Sequence, residues 1–180
     1  MTNIEVHKKS YEPKEIIGNA NKACGWFVTI AVFSLINSLL IFFKSGVTFV
    51  IGLGITMIVD GIILSTKESA TGAVATFLMV AGFLINLVLI GVLVLIWSLS
   101  KRGSKAAYII GVTLYLLDGL LFLLVKDWIG LAFHMFFLYM LIGGYGFIKA
   151  RTNAEKLLTA EAINKQSAIN EESEPPVQEI

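Results

Sequence analysis

An all-α bundle of five membrane-spanning helices is the fold predicted by this sequence, on three observations. Of its 180 residues, 56% are hydrophobic, and the mean hydropathy is +0.79. Charged residues make up 15%, where a soluble domain carries about 25%. Those charges are also segregated: nearly all lie at the two ends and in a few short joints, with uncharged runs of hydrocarbon length between them. This is a bilayer pattern, because a charge at bilayer depth costs at least about 2.5–3.5 kcal/mol.

Composition also narrows the function classes. A net charge of +1 supplies no field for a nucleic-acid partner. The one cysteine, Cys24, excludes an intrachain disulfide and a CxxC metal or redox motif, and it reads as a small residue at a helix edge. The first 25 residues are polar and lack the apolar core of a cleavable signal peptide, so the spans themselves are expected to drive insertion.

Residues 1–25 form a polar leader, read as a surface segment. The stretch Lys14–Cys24, after Pro13, is able to form a short interfacial helix. The first span is predicted over 26–43, 18 residues or about 27 Å of helix against roughly 30 Å of hydrocarbon. Trp26 suits an interfacial anchor. Ser34 and Ser38 share a face and permit close approach of another helix. Lys44-Ser-Gly46 is a tight joint of the length an αα-hairpin allows. The second span is predicted over 47–64 and is the most irregular, with Gly52, Gly54, Thr56, Asp60 and Gly61. A complete helix is the favoured reading, and an unwound or re-entrant piece the alternative.

Ser65–Gly72 is read as a polar loop. The third span, 73–98, is long enough to tilt. The joint after it holds Lys101, Arg102 and Lys105, the densest basic cluster in the chain. Spans four and five are predicted over 106–125 and 128–148, with Tyr108, Trp128 and Tyr145 as interfacial aromatics. Gly143-Gly-Tyr-Gly146 is expected to loosen the end of the last span. It is no phosphate loop, because no Lys-Ser/Thr follows it and no strand precedes it. From 149 to 180 the tail reads as helical and then acidic and disordered.

Five spans place the two ends on opposite sides. Near the span ends, one side then holds Lys44, Lys101, Arg102, Lys105, Lys149, Arg151 and Lys156. The other holds Lys14, Lys22, Lys67 and Lys126. The positive-inside rule predicts an outside leader and a cytoplasmic tail. Four spans with both ends inside is the alternative, if one of the first three runs does not cross. Ile51–Ile63 and Ile110–Leu121 also share an Ile-Gly, Thr, Asp-Gly order, so spans two–three and four–five could be a duplicated hairpin.

Asp60 and Asp118 are the acids inside predicted spans, and His134 is the histidine. Asp118 lies eight residues before Lys126 and His134 eight after it, about 12 Å from the turn in each case. With five spans all three fall in the same half of the bilayer. A carboxylate there needs a partner, and an imidazole can supply one. The expected cluster of Asp60, Asp118 and His134 is either a set of interhelical clamps or a proton or cation relay. Asn37 and Asn86 are expected to make interhelical hydrogen bonds of roughly 0.6–2 kcal/mol each. No HExxH, second span histidine or Gly-x-Ser-x-Gly is present, so neither a metal site nor catalytic residues are expected. No cofactor is implied.

The residues Gly52-Leu-Gly-Ile-Thr56, Asp60-Gly61, Tyr115, Asp118-Gly119, Asp127-Trp128 and Phe133-His134 resemble motifs recurring in a group of small, uncharacterised multi-pass bacterial membrane proteins. The resemblance covers roughly residues 25–150. It implies the bacterial inner membrane and supplies no activity. The expectation is an integral membrane protein, not an enzyme, with a structural or regulatory role and the lipid bilayer, a membrane protein or a second copy as its partner. A small transporter or channel using the Asp/His cluster is the alternative.

Overall fold

The computed structural model describes residues 3–7, 9–43, 52–69 and 72–173, with the side chains of 67–69 and 171–173 outside the description. It is helical, as the hydropathy predicts, with one addition. Strands β1 (Ile4–Val6) and β2 (Lys9–Tyr11) form an antiparallel hairpin that pairs Ile4 with Tyr11 and Val6 with Lys9.

Helix α1 spans Pro13–Phe42. It starts well before the predicted 26–43 span, with Pro13 at its first position and the Glu12 N–H donating to Glu15 Oε2 at 3.1 Å. Residues 13–25 of the predicted polar leader are therefore the start of a core helix, and the helix expected over Lys14–Cys24 runs on unbroken into the first span. Ile16, Ala20, Cys24 and Phe27, three to four residues apart, are all buried, which is the spacing of one helix face. Cys24 lies in that face and not at an edge.

Helices α2 (Gly54–Ser69), α3 (Ala73–Lys101), α4 (Lys105–Leu124) and α5 (Trp128–Ser173) follow. The Ser104 hydroxyl caps α4 by accepting the Ala107 N–H at 3.2 Å. The tight turn from α4 to α5 puts Lys126 at positive φ, and Asp127 accepts the Gly130 N–H at 2.9 Å. The region predicted as a loop from Ser65 is helical through Ser69. The glycines at 143, 144 and 146 do not loosen the fifth span, because α5 continues through them as one helix of 46 residues.

Among the described residues four helices, α1, α3, α4 and α5, are long and apolar enough to cross a membrane. They close a ring in which α1 packs on α5 and α3, and α4 packs on α3 and α5. Phe27, Leu93, Tyr108 and Leu141, one from each, belong to a single core. Their outer faces are apolar as well, with Val32, Val88, Leu117 and Tyr139 all exposed, as lipid-facing surface should be.

The short helix α2 is wedged between α1, α3 and α4. It does not run back antiparallel to α1, as a second crossing would. The Leu53 N–H donates to Ser34 Oγ at 2.8 Å, and Ser38 Oγ donates to Asp60 Oδ2 at 3.4 Å. Going forward along α1 is thus also going forward along α2. The chain reappears at Gly52 against Ser34, nine residues back from Phe43 and about 13 Å along the α1 axis. The predicted antiparallel αα-hairpin of spans one and two is overturned. The joint Lys44–Gly46 and the first part of the predicted 47–64 span lie outside the described residues.

With α2 pointing the same way as α1, the ring helices alternate in direction. The β-hairpin and the start of α1 therefore lie at the same end of the bundle as the middle of α5, where five alternating spans would set the first and last helices parallel. His7 Nε2–H donates to the Gly143 carbonyl at 3.1 Å, Tyr11 packs edge-on against Phe147 at 5.2 Å, and Arg151 donates to Asn21 Oδ1 at 3.2 Å.

Candidate functional site

Two polar centres lie inside this apolar bundle. The first forms where α2 begins. Gly54 and Ile55 open the helix, and their N–H groups have no carbonyl one turn earlier to bond. Asp118 of α4 takes both: Oδ2 accepts from the Gly54 N–H at 2.7 Å and Oδ1 from the Ile55 N–H at 2.9 Å. The negative carboxylate also faces the positive end of the helix dipole. Asp118 is therefore an N-terminal cap delivered from another helix. Gly54 permits a close approach: a Cβ on it would stand 3.0 Å from the Phe122 ring and 3.2 Å from the Asp118 carbonyl oxygen.

Beside Asp118 stands His134 of α5. Its ring lies flat on Tyr115, with centroids 3.7 Å apart and planes inclined by 17°. Its Nε2 faces the Tyr115 carbonyl oxygen at 2.5 Å. A carbonyl can only accept, so Nε2 carries the proton. Nδ1 then points at Asp118 Oδ2 across 3.8 Å, too far for a hydrogen bond. It is buried and has no other partner. One carboxylate oxygen, Oδ2, thus faces both the start of α2 and the bare nitrogen of His134.

The second centre lies six residues along α2, about 9 Å closer to its C-terminal end. Asn86 of α3 donates through Nδ2 to Asp60 Oδ1 at 2.7 Å and to Ser38 Oγ at 2.9 Å, and Ser38 closes the triangle to Asp60. Asn86 Oδ1 is left buried without a partner. The opposite amide orientation would point that oxygen at the carboxylate, so the observed one suits an acceptor at Asp60. Asn37 is buried on α1 beside Ser38.

The predicted site residues therefore do not form one cluster. Asp118 and His134 meet at a common level, as their equal spacing from the α4–α5 turn predicts. Asp60 joins Asn86 and Ser38 instead, because α2 starts within the bundle and carries Asp60 past that level. Asn86 bonds across helices as expected. The residues the sequence reading missed are backbone groups, the Gly54 and Ile55 amides and the Tyr115 carbonyl. Backbone groups leave no mark in a sequence, and the one available signal for a helix start there is the pair Gly52 and Gly54.

The cavities beside these centres are apolar. A groove of about 430 Å³ between α2 and α4 is lined by Gly54, Met57, Ile58, Leu121 and Phe122 among others. Another of about 310 Å³ reaches Asp118 between Leu53, Ile55, Leu93 and Tyr115. Beside Asp60 and Ser38 the space is about 20 Å³, the size of one water. Among the described residues no three His, Cys, Asp or Glu side chains gather as metal ligands.

Comparison with protein-family models, with curated proteins and with solved structures finds no match to the chain.

Proposed function

We propose that this is a structural or regulatory protein of the bacterial inner membrane, with four crossings, both ends in the cytoplasm, and α2 as a half-helix that re-enters from the opposite face. The observation that carries the structural reading is the use made of the acids. Asp118 holds the start of α2, Asp60 holds α3 and α1 to it, the cavities beside Asp118 are apolar, and the space beside Asp60 is about 20 Å³. A relay needs a wet path, whereas interhelical bonding needs what these residues have.

The orientation follows from charge. With four crossings, Lys14, Lys22, Lys101, Arg102, Lys105, Lys149, Arg151 and Lys156 flank one face and Lys44, Lys67 and Lys126 the other. Eight against three is a clearer positive-inside bias than five crossings allow. The inner-membrane assignment rests on the resemblance carried by the Gly52–Gly61 and Tyr115–His134 motifs. Reporters fused to each end and active in one compartment test the topology: both should signal from the cytoplasm, and an external signal from either end overturns it.

A second reading is proton or cation coupling in a small transporter, favoured by the unpartnered His134 Nδ1 facing Asp118. Proteoliposomes separate the two. Under the structural reading Asp118→Asn lowers thermal stability in detergent and there is no flux to lose. A proton or cation flux abolished by Asp118→Asn would establish the second reading in its place.

A further inference from the structure

We propose that the space between Asp118 Oδ2 and His134 Nδ1 is a proton-binding site, and that the bound proton unseats the half-helix α2. The proposal deepens the regulatory reading and rests on α2 being the half-helix described above.

The geometry at one oxygen carries it. Oδ2 accepts the Gly54 N–H at 2.7 Å and stands 3.8 Å from Nδ1. With Nε2 protonated, Nδ1 presents a lone pair to a carboxylate oxygen, and both atoms are acceptors. The side chains are 1% and 7% exposed, so bulk water does not separate them. A proton taken up from solvent by Nδ1 turns this facing pair into a donor and an acceptor. The bond it makes is short, about 2.7–2.9 Å, so the gap must close by roughly 1 Å.

His134 cannot supply that movement. Its ring is stacked on Tyr115, anchored through Nε2, tilted against Phe122 at 5.3 Å, and seated in the hollow left by Gly119. The carboxylate moves instead, toward the ring on α5, and draws Oδ2 off the position in which it accepts the Gly54 N–H. The first bond of α2 then lengthens, and the carboxylate charge is shared with an imidazolium.

No other charged side chain competes for this role. Among the described residues the titratable groups facing Asp118 are His134 on α5 and the Tyr115 phenol on its own helix. The neighbours on α3, Leu89, Val92, Leu93 and Ile96, carry none. The α1 contact near the start of α2 is the hydroxyl of Ser34, and Asp60 of α2 is engaged with Asn86 and Ser38. What holds α2 after Asp118 shifts is that second centre and the Ser34 bond. The start of the helix is therefore the part that moves.

The test uses the full chain in proteoliposomes, with Cys24→Ala and spin labels at the half-buried Met57→Cys near the start of α2 and the exposed Leu124→Cys on α4. When the pH is lowered from about 8 to about 5, the interlabel distance should shift by at least the roughly 1 Å through which the carboxylate moves. His134→Gln, which keeps a donor for the Tyr115 carbonyl, should abolish the shift, and Asp118→Asn should give the acid distance at both pH values. An unchanged distance in the labelled protein, or a shift that survives His134→Gln, overturns the proposal. So does a His134 Nδ1 that stays unprotonated through the transition by nitrogen magnetic resonance, a readout needing no substitution at the pair. Terminal reporters both signalling from the cytoplasm beside a pH-independent distance would sink the proton site and leave the topology intact.

Discussion

Gly119 has no side chain because the His134 ring fills that space: a Cβ there would stand 2.7 Å from Cδ2 and 3.0 Å from Nε2. Gly119→Ala should push the imidazole off Tyr115 and cost about 1–3 kcal/mol, the usual range for overpacking. The thermal midpoint in detergent reads that loss. Asp118→Asn keeps the volume but has one acceptor oxygen for two backbone N–H groups, and its amide faces one of them. Leaving one donor buried and unpaired costs about 1–3 kcal/mol, visible in the same assay. At this scale the sequence was half legible. Asp118 and His134 could be paired by their equal distance from Lys126. The stronger partners of Asp118, amides 63 and 64 residues away, could not, because any residue type except proline carries such an amide.

At the scale of elements, α5 explains its glycines one by one. A Cβ on Gly144 would collide with Ala23 and stand 2.9 Å from the Tyr108 hydroxyl, and one on Gly146 would meet His7 and Val6. A Cβ on Gly143 meets nothing within 4 Å. Gly144→Ala should therefore destabilise by about 1–3 kcal/mol, while Gly143→Ala should stabilise by about 0.5–1 kcal/mol through helix propensity. A shared sign for the two changes would refute this account. Propensity suggested that the glycine run weakens the helix, but here it serves close packing: α1, α4 and the β-hairpin all seat against it. The early start of α1 escaped notice for a related reason. Lys14, Glu15, Asn19 and Lys22 make the stretch look like surface, and the buried stripe through Ile16 and Ala20 matters only once the base of the tail helix lies against it. Ala154 and Ile16 share one small core there.

For the whole molecule, hydropathy identified the all-helical class and the four long apolar helices among the described residues, and the count of five spans is not confirmed. A stretch such as 47–64 is apolar whether it crosses the bilayer or dips into it, because lipid and bundle are alike as solvents for its side chains. What distinguishes the cases is where the backbone amides find partners, and that is decided by Asp118 in a distant helix. Beyond the base of α5 the reverse holds, since residues 161–170 are all exposed. A chain ending at Thr159 should unfold within about 0.5 kcal/mol of the full one, and a larger loss would mean that the tail packs on something. The cap of α2 also has a consequence for how the protein is made. Gly54 leaves the ribosome 64 residues before Asp118, which is about 3–13 s at ordinary synthesis rates of 5–20 residues per second. During that interval α2 lacks the carboxylate that caps its first amides. Nascent chains arrested short of Asp118 should therefore exchange the amide hydrogens of Gly54 and Ile55 freely, and those carrying α4 should protect them.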